Sequence, residues 1–215
     1  MFDTAAARRM MVDGQVRTAD VTNPDLIAAM LAVPRERFVP QALAGQAYLD
    51  SDIAIGGGRA LLKPMVLAKL IQAADIGADD HILDVGCGTG YATAILARLG
   101  GSVVALEEDA ALAAAAKANL ATAGKATVCV GPLHDGWAAA APYDLIFLNG
   151  ATEVVPEALG RQLKPEGRLA AVFGAPHFGK ATIFRLIEGQ LVGRPIFDAA
   201  APLLPGFAAP LTFVF

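Results

Sequence analysis

Only two cysteines, Cys87 and Cys129, occur among the 215 residues. They lack the C-x-x-C spacing of a zinc ribbon or a redox pair. A chain this poor in cysteine suits a reducing compartment, and a cytoplasmic setting is expected. Charge is sparse and balanced: 17 Lys and Arg stand against 21 Asp and Glu, a net of -4. No basic stripe is present, so nucleic acid is not an expected partner. No apolar run approaches the ~18 residues of a membrane span, and much of the 55% hydrophobic content is alanine, so no membrane partner is expected either. Met1 to Asp20 carries Arg8, Arg9, Asp13 and Arg17 without the apolar stretch of a signal peptide. Three histidines form no evident Ser-His-Asp or Cys-His set and no ligand spacing, so no metal is expected. A G-x-x-x-x-G-K-[ST] phosphate loop is missing, which disfavours nucleotide hydrolysis by that route.

What is present is a glycine turn, Asp84-Val85-Gly86-Cys87-Gly88-Thr89-Gly90. A short apolar run, His81 to Leu83, precedes it, and a helical pattern, Tyr91 to Leu99, follows. A second apolar run, Val103 to Leu106, ends at Glu107. The order is strand, glycine turn, helix, strand, acid. Glycines let backbone approach a ligand where a Cβ would clash, and a helix start aims free N–H groups at the same place. An acid at the tip of the next strand, about 20 residues on, accepts ribose hydroxyls. The stretch predicts an adenosine-containing cofactor. Tyr91 at the sixth position suits a pyrophosphate turn badly, which argues against a dinucleotide. Asp-x-Gly-x-Gly-x-Gly instead resembles the first motif of the Rossmann-like methyltransferases, and that resemblance implies S-adenosylmethionine. Asp84 either caps the turn, or faces the cofactor's amino-acid part, or both. Glu107, as a strand-end acid, is expected to carry little core packing.

The rest of the chain reads as one domain over 1–215, with an N-terminal helical extension and substrate loop (1–63) and a cofactor-binding core (64–215). A helix starts at Asn23-Pro24 and carries Leu26, Ile27, Met30 and Leu31 on one face,. A turn-bounded segment spans Arg35 to Gly45. Gly56-Gly57-Gly58 is a hinge or a close-contact loop, and Pro64 opens a helix over Met65 to Ala74. Strands are expected at Ile82–Val85, Val103–Leu106, Thr127–Val130, Leu145–Leu148, Arg168–Phe173, Thr182–Leu186 and Leu211–Phe215. Helices are expected at Tyr91–Leu99, Asp109–Ala123, Trp137–Ala139 and Val155–Gln162. This alternation predicts an α/β fold, a mostly parallel seven-stranded sheet with an antiparallel C-terminal edge. Ligands bind such sheets at the carboxyl ends of strands. That places Asp84 to Gly90, Glu107, Gly131 to Asp135 and Asn149 to Thr152 on one rim. Trp137 is cover for the adenine or simple core; Arg8, Arg9 and Arg17 read as a solvated helix face, and Tyr91 as a packing residue whose hydroxyl finds a local partner.

Beyond the glycine turn, Val33-Pro34-Arg35-Glu36-Arg37-Phe38-Val39-Pro40 resembles the N-terminal signature of the protein-L-isoaspartate O-methyltransferases. Ala47-Tyr48, Ile55-Gly56, Pro142 to Ile146 and Val155 to Leu163 follow the same family's pattern. The resemblance covers roughly residues 8 to 175. It implies a Rossmann-like fold and methyl transfer from S-adenosylmethionine to the α-carboxyl of an isoaspartyl residue in a damaged protein or peptide. It also implies cofactor-binding roles for Asp84, Gly86, Cys87, Gly88, Gly90, Glu107, Leu133 and Asp135. A carboxylate substrate is already ionised near pH 7 and needs no general base. The enzyme's task is to align an anionic oxygen with the methyl group.

Two stretches depart from the family's pattern. After Ile-Gly the family reads Gly-x-Thr-Ile-Ser-x-Pro, with the hydroxyls at the substrate carboxyl; here the loop is Gly58-Arg59-Ala60-Leu61-Leu62-Lys63-Pro64. Gly58, Arg59, Ala60, Leu62 and Lys63 are therefore the candidate substrate-loop residues, with Arg59 or Lys63 as a replacement charge. The family's Gly-Asp-Gly becomes Gly131-Pro132-Leu133, with Asp135 displaced, which predicts a remodelled adenine pocket. The altered loop keeps two alternatives in view: a methyltransferase acting on another carboxylate or a small molecule, and a non-catalytic S-adenosylmethionine-binding module.

Overall fold

A computed structural model describes residues 3–175 and 177–210. Helix α1 (Thr4–Met11) is capped by Asp3, whose carboxylate accepts the Ala6 N–H,. Helix α2 (Pro24–Ala32) has Asn23 as its cap and Pro24 in its first turn,. A short antiparallel hairpin follows, β1 (Ile53–Gly56) and β2 (Arg59–Leu61). The remaining elements are α3 (Pro64–Ala74), β3 (His81–Val85), α4 (Tyr91–Leu99), β4 (Ser102–Glu107), α5 (Ala110–Asn119), β5 (Ala126–Val130), β6 (Tyr143–Thr152), α6 (Glu157–Gly160), β7 (Leu163–Phe173), β8 (Gly179–Ile187) and β9 (Gln190–Ala199).

Strands β3 to β9 form one seven-stranded sheet in the order β5-β4-β3-β6-β7-β8-β9. The first five in that row run parallel, and β8 and β9 add antiparallel. The strand order reverses between β3 and β6, and ligand crevices form at the carboxyl end of such a switch point. Both faces of the central strands are covered. Ile82, Leu145, Phe147, Ala170 and Val172 enter one apolar core; Leu83, Val85, Ile146, Leu148, Leu169 and Ala171 enter the other. Burial on both faces explains why these strands read as continuous apolar runs. The same period of two puts Asp84 on the α4 face, beside Ile82.

The α/β class, the parallel sheet and its antiparallel C-terminal edge agree with the sequence reading. The differences have physical causes. The expected helix Asp109–Ala123 is Ala110–Asn119, with Asp109 outside it as the cap, accepting the Ala111 and Leu112 N–H groups. The helix expected over Val155–Gln162 shrinks to Glu157–Gly160. The seventh strand is Gln190–Ala199, which the sequence pattern hides because Gly193 and Pro195 interrupt it. It is an edge strand with one exposed face, where a proline is tolerated,. Leu211–Phe215, expected as a strand, lies outside the described residues. Among the described residues, no helix is long and apolar enough to cross a membrane.

Candidate functional site

The site is built at the carboxyl end of β3 and β4. At Gly86 and Gly88 the backbone turns through φ of 76° and 57°, a region that favours glycine. The space a side chain would take there is already claimed. A Cβ on Gly88 would meet Ile55 Cδ1 at 2.6 Å, and one on Gly86 would collide with Arg59 Nη2. The glycines thus let the β1–β2 hairpin lie directly on the turn, a contact that spacing alone could not reveal.

Glu107, at the end of β4, is fully buried. Its carboxylate accepts the N–H groups of Gly88 at 2.7 Å, Glu108 at 3.0 Å and Asp109 at 3.3 Å. Arg59 Nη1 stands 3.2 Å from both Glu107 oxygens, and Arg59 Nη2 donates to the Gly86 carbonyl at 2.6 Å. The expectation that Glu107 carries little packing is therefore corrected. Three main-chain donors and a buried guanidinium depend on it, and each would be left unpaired without it.

Asp84 is also fully buried. Thr93, one turn into α4, donates its hydroxyl to Asp84 Oδ2 at 2.6 Å, while Oδ1 has no partner. Burial pushes the Asp84 carboxyl up, the Thr93 bond and the Arg59 charge pull it down and Glu107 pushes it up, so that it stands raised to about 7,. Cys87 is buried beside them, and its thiol is pushed well above its ordinary value by burial and by the two carboxylates. It is a packing group of the turn rather than a nucleophile.

The Val33–Pro40 signature closes the turn from outside. The Thr89 hydroxyl donates to the Phe38 carbonyl at 2.5 Å. The Phe38 and Tyr91 rings meet edge to face with centroids 5.5 Å apart,. Arg35, fully buried, lies over the Tyr91 ring at 4.8 Å and donates to the carbonyls of Ala47 and Leu62. The Tyr91 hydroxyl has no hydrogen-bond partner among the described residues, contrary to the expected local one, and the Arg35 guanidinium lies over its ring. Arg8 also departs from its expected solvated face: it reaches inward to Tyr48, the Leu31 carbonyl and Glu36.

The structure therefore brings Asp84, Gly86, Cys87, Gly88, Gly90 and Glu107 together with Arg59, Ala60 and Leu62. Ala60, Leu62, Gly86, Cys87, Gly88, Tyr91 and Asn149 line a cavity of only about 10 Å³ between hairpin and turn. Two larger clefts, of about 510 and 470 Å³, lie against α2 and α3 and behind the signature segment beside Pro34, Phe38 and Asn119, and neither is lined by Asp84, Gly86, Gly88 or Glu107. The chemistry at the strand ends, not cavity size, marks the site. Gly58, at the hairpin tip, has nothing within 4 Å of where its Cβ would be. Lys63 faces a separate cleft with Phe178 and Lys180. Leu133 sits in the second core, and Asp135 is exposed, 3.2 Å from His134. Trp137 packs against Gly131 in that same second core. The sequence reading missed Thr93 and Leu204, whose Cδ2 would stand 3.0 Å from a Cβ on Gly86. Only Thr93 carried a usable signal, a polar residue on the buried face of an otherwise apolar helix.

The residue types fit an adenosine-bearing cofactor, although Arg59 takes up the Glu107 oxygens that ribose hydroxyls would use. The site offers a glycine turn at a helix start, an anchored carboxylate one strand away, and a second buried carboxyl with a free oxygen.

Comparison with known proteins points the same way. Residues 7–188 match the family described as protein-L-isoaspartate(D-aspartate) O-methyltransferase. The protein-L-isoaspartate O-methyltransferase of Methylorubrum extorquens (strain PA1) is 45% identical over 198 residues, covering 92% of this chain and 85% of that protein. A solved protein-L-isoaspartate O-methyltransferase shares the fold with a TM-score of 0.78 at 24% identity, covering 93% of this chain and 66% of its own. A solved Plasmodium falciparum structure, in complex with S-adenosyl-L-homocysteine, superposes with a TM-score of 0.75 at 17% identity, covering 95% and 99% of the two chains.

Proposed function

This chain belongs to the protein-L-isoaspartate(D-aspartate) O-methyltransferase family, and we propose that it methylates the α-carboxyl group of isoaspartyl residues in damaged proteins and peptides. The supporting observation is the docking of the Val33–Pro40 signature onto the glycine turn through Thr89 and Phe38. It brings the family's own signature and the general methyltransferase glycine motif to one rim. S-adenosylmethionine supplies an activated methyl group on a sulfonium. The residues that would hold it are the Gly86–Gly90 turn, Asp84 and Glu107, with Glu107 toward the ribose. Leu133 and Asp135 are the residues proposed nearest the adenine.

The protein's remaining work is positional. The substrate carboxylate is ionised at neutral pH, so no base is required. Ala92, Leu67 and Ile55 give the cavity apolar walls, which exclude water and strengthen any charge interaction inside. The decisive assay is radiolabelled methyl transfer to an isoaspartyl peptide beside its ordinary aspartyl twin. Incorporation into the first alone supports the proposal; none into either removes it. A parallel calorimetric titration should show binding of S-adenosylhomocysteine and not of NAD. A second reading, methylation of a different carboxylate, is favoured by the cavity wall, where Ala60 and Leu62 carry no hydroxyl. It predicts cofactor binding with no peptide methylation.

A further inference from the structure

Arg59 occupies the position its site needs for something else. Its side chain is 4% exposed, and it spans Glu107 and the Gly86 carbonyl. A carboxylate has about four lone-pair positions. Glu107 already receives three main-chain N–H groups and both approaches of Arg59 Nη1. No acceptor capacity is left for a ribose diol while Arg59 is in place. The space agrees: the adjoining cavity between hairpin and glycine turn, which Arg59 and Glu107 do not themselves line, is about 10 Å³, at the threshold for a single water.

The element carrying Arg59 is held to the rest of the molecule by the packing of Ile53, Ile55 and Leu61 rather than by sheet hydrogen bonds. The β1–β2 hairpin is a two-stranded sheet apart from the main one, held by three residue pairs. Such a hairpin is marginal without packing. Gly56, Gly57 and Gly58 at its tip all have positive φ. When the hairpin lifts, Glu107 keeps its three main-chain donors and one acceptor position opens for a ribose hydroxyl,. The displaced guanidinium then needs a new anion. The neighbouring cavity wall carries no lysine or arginine; its Ala60 and Leu62 side chains offer a carboxylate no donor, and Asn149 supplies its one side-chain amide.

We propose that Arg59 has two positions: paired with Glu107 it closes the cofactor site, and displaced from Glu107 it becomes the counter-ion of the substrate carboxylate, so that cofactor binds before substrate. The substrate half rests on the isoaspartyl reading above; the closing half does not.

The test uses the full chain as wild type, Arg59→Gln and Arg59→Lys, with S-adenosylhomocysteine titrated by calorimetry and the KM measured for an isoaspartyl peptide. If the closed form is populated about nine to one, Arg59→Gln binds S-adenosylhomocysteine about tenfold tighter. The same variant raises the peptide KM by about tenfold to a hundredfold, the loss of one or two charge-assisted bonds. Arg59→Lys recovers part of the KM. A merely structural arginine would weaken both together. Unchanged or weaker S-adenosylhomocysteine binding by a folded Arg59→Gln overturns the closing role, and an unchanged KM overturns the anchoring role. If the wild type does not methylate the peptide at all, the isoaspartyl reading fails and takes the anchoring role with it, while calorimetry still judges the closure.

Discussion

The Thr93 hydroxyl donates to the Asp84 carboxyl at 2.6 Å across the interface of α4 and β3. It leaves one oxygen of a fully buried acid without a partner. An acid so placed stores a pH dependence, because burial raises it from 3.8 to about 7.

Between those values the folded protein keeps a proton that the unfolded chain has released. Stability then falls as pH rises through the window and levels off above it. Asp84→Asn is neutral throughout. It should match the wild type near pH 4 and exceed it at pH 8, by on the order of 4 kcal/mol, or roughly 10 °C in Tm. Its affinity for S-adenosylhomocysteine should fall. Calorimetric melts at both pH values check this; a Tm difference that does not grow with pH would sink it.

Glu107→Ala removes the acceptor of three main-chain donors and the partner of a buried arginine. The expected destabilisation is about 3–5 kcal/mol, the cost of orphaning a buried charge. Affinity for S-adenosylhomocysteine should also drop about tenfold or more. Denaturant titration measures the first effect and calorimetry the second. Full stability in the variant would show that Arg59 finds other partners.

Thr89→Val deletes the hydroxyl bond to the Phe38 carbonyl while keeping the side chain's shape. The buried acceptor is left unmet, at a cost of about 1–3 kcal/mol. If the signature segment orders the glycine turn, S-adenosylhomocysteine affinity falls as well. A stability loss with affinity intact would confine the bond to a scaffold role.

Restoring hydroxyls at Ala60 and Leu62, as Ala60→Thr with Leu62→Ser, should raise isoaspartyl turnover about tenfold or more if two donors reach the transition state. Leu62 is buried, so the serine also costs roughly 2–5 kcal/mol of packing. Turnover must therefore be compared at a temperature where both proteins are folded. Robust wild-type turnover unimproved by the swap would mean that the cavity already orients the carboxylate by other groups.

Much of this protein was determined locally and is legible in its sequence. Continuous apolar runs at β3, β6 and β7 follow from burial on both faces. The Tyr91–Leu99 helix follows from its own periodicity, and the glycine turn with Glu107 one strand later follows from spacing. Other features depend on residues far apart in the chain. Arg59 reaches Glu107 across 48 positions and Thr89 reaches Phe38 across 51. No local pattern encodes either pairing. The β1–β2 hairpin has strands of four and three residues, too short to show alternation. Strand β9 is exposed on one side and broken by Pro195, so it lacks an apolar signature. The buried state of Asp84 and Glu107 is likewise tertiary: an acid at a strand end reads as solvated until a helix and a hairpin close over it. Sequence set which groups the site contains, through short-range geometry. Only long-range packing decided that a guanidinium would lie where a ribose is expected, because that outcome rests on which surfaces exclude water together.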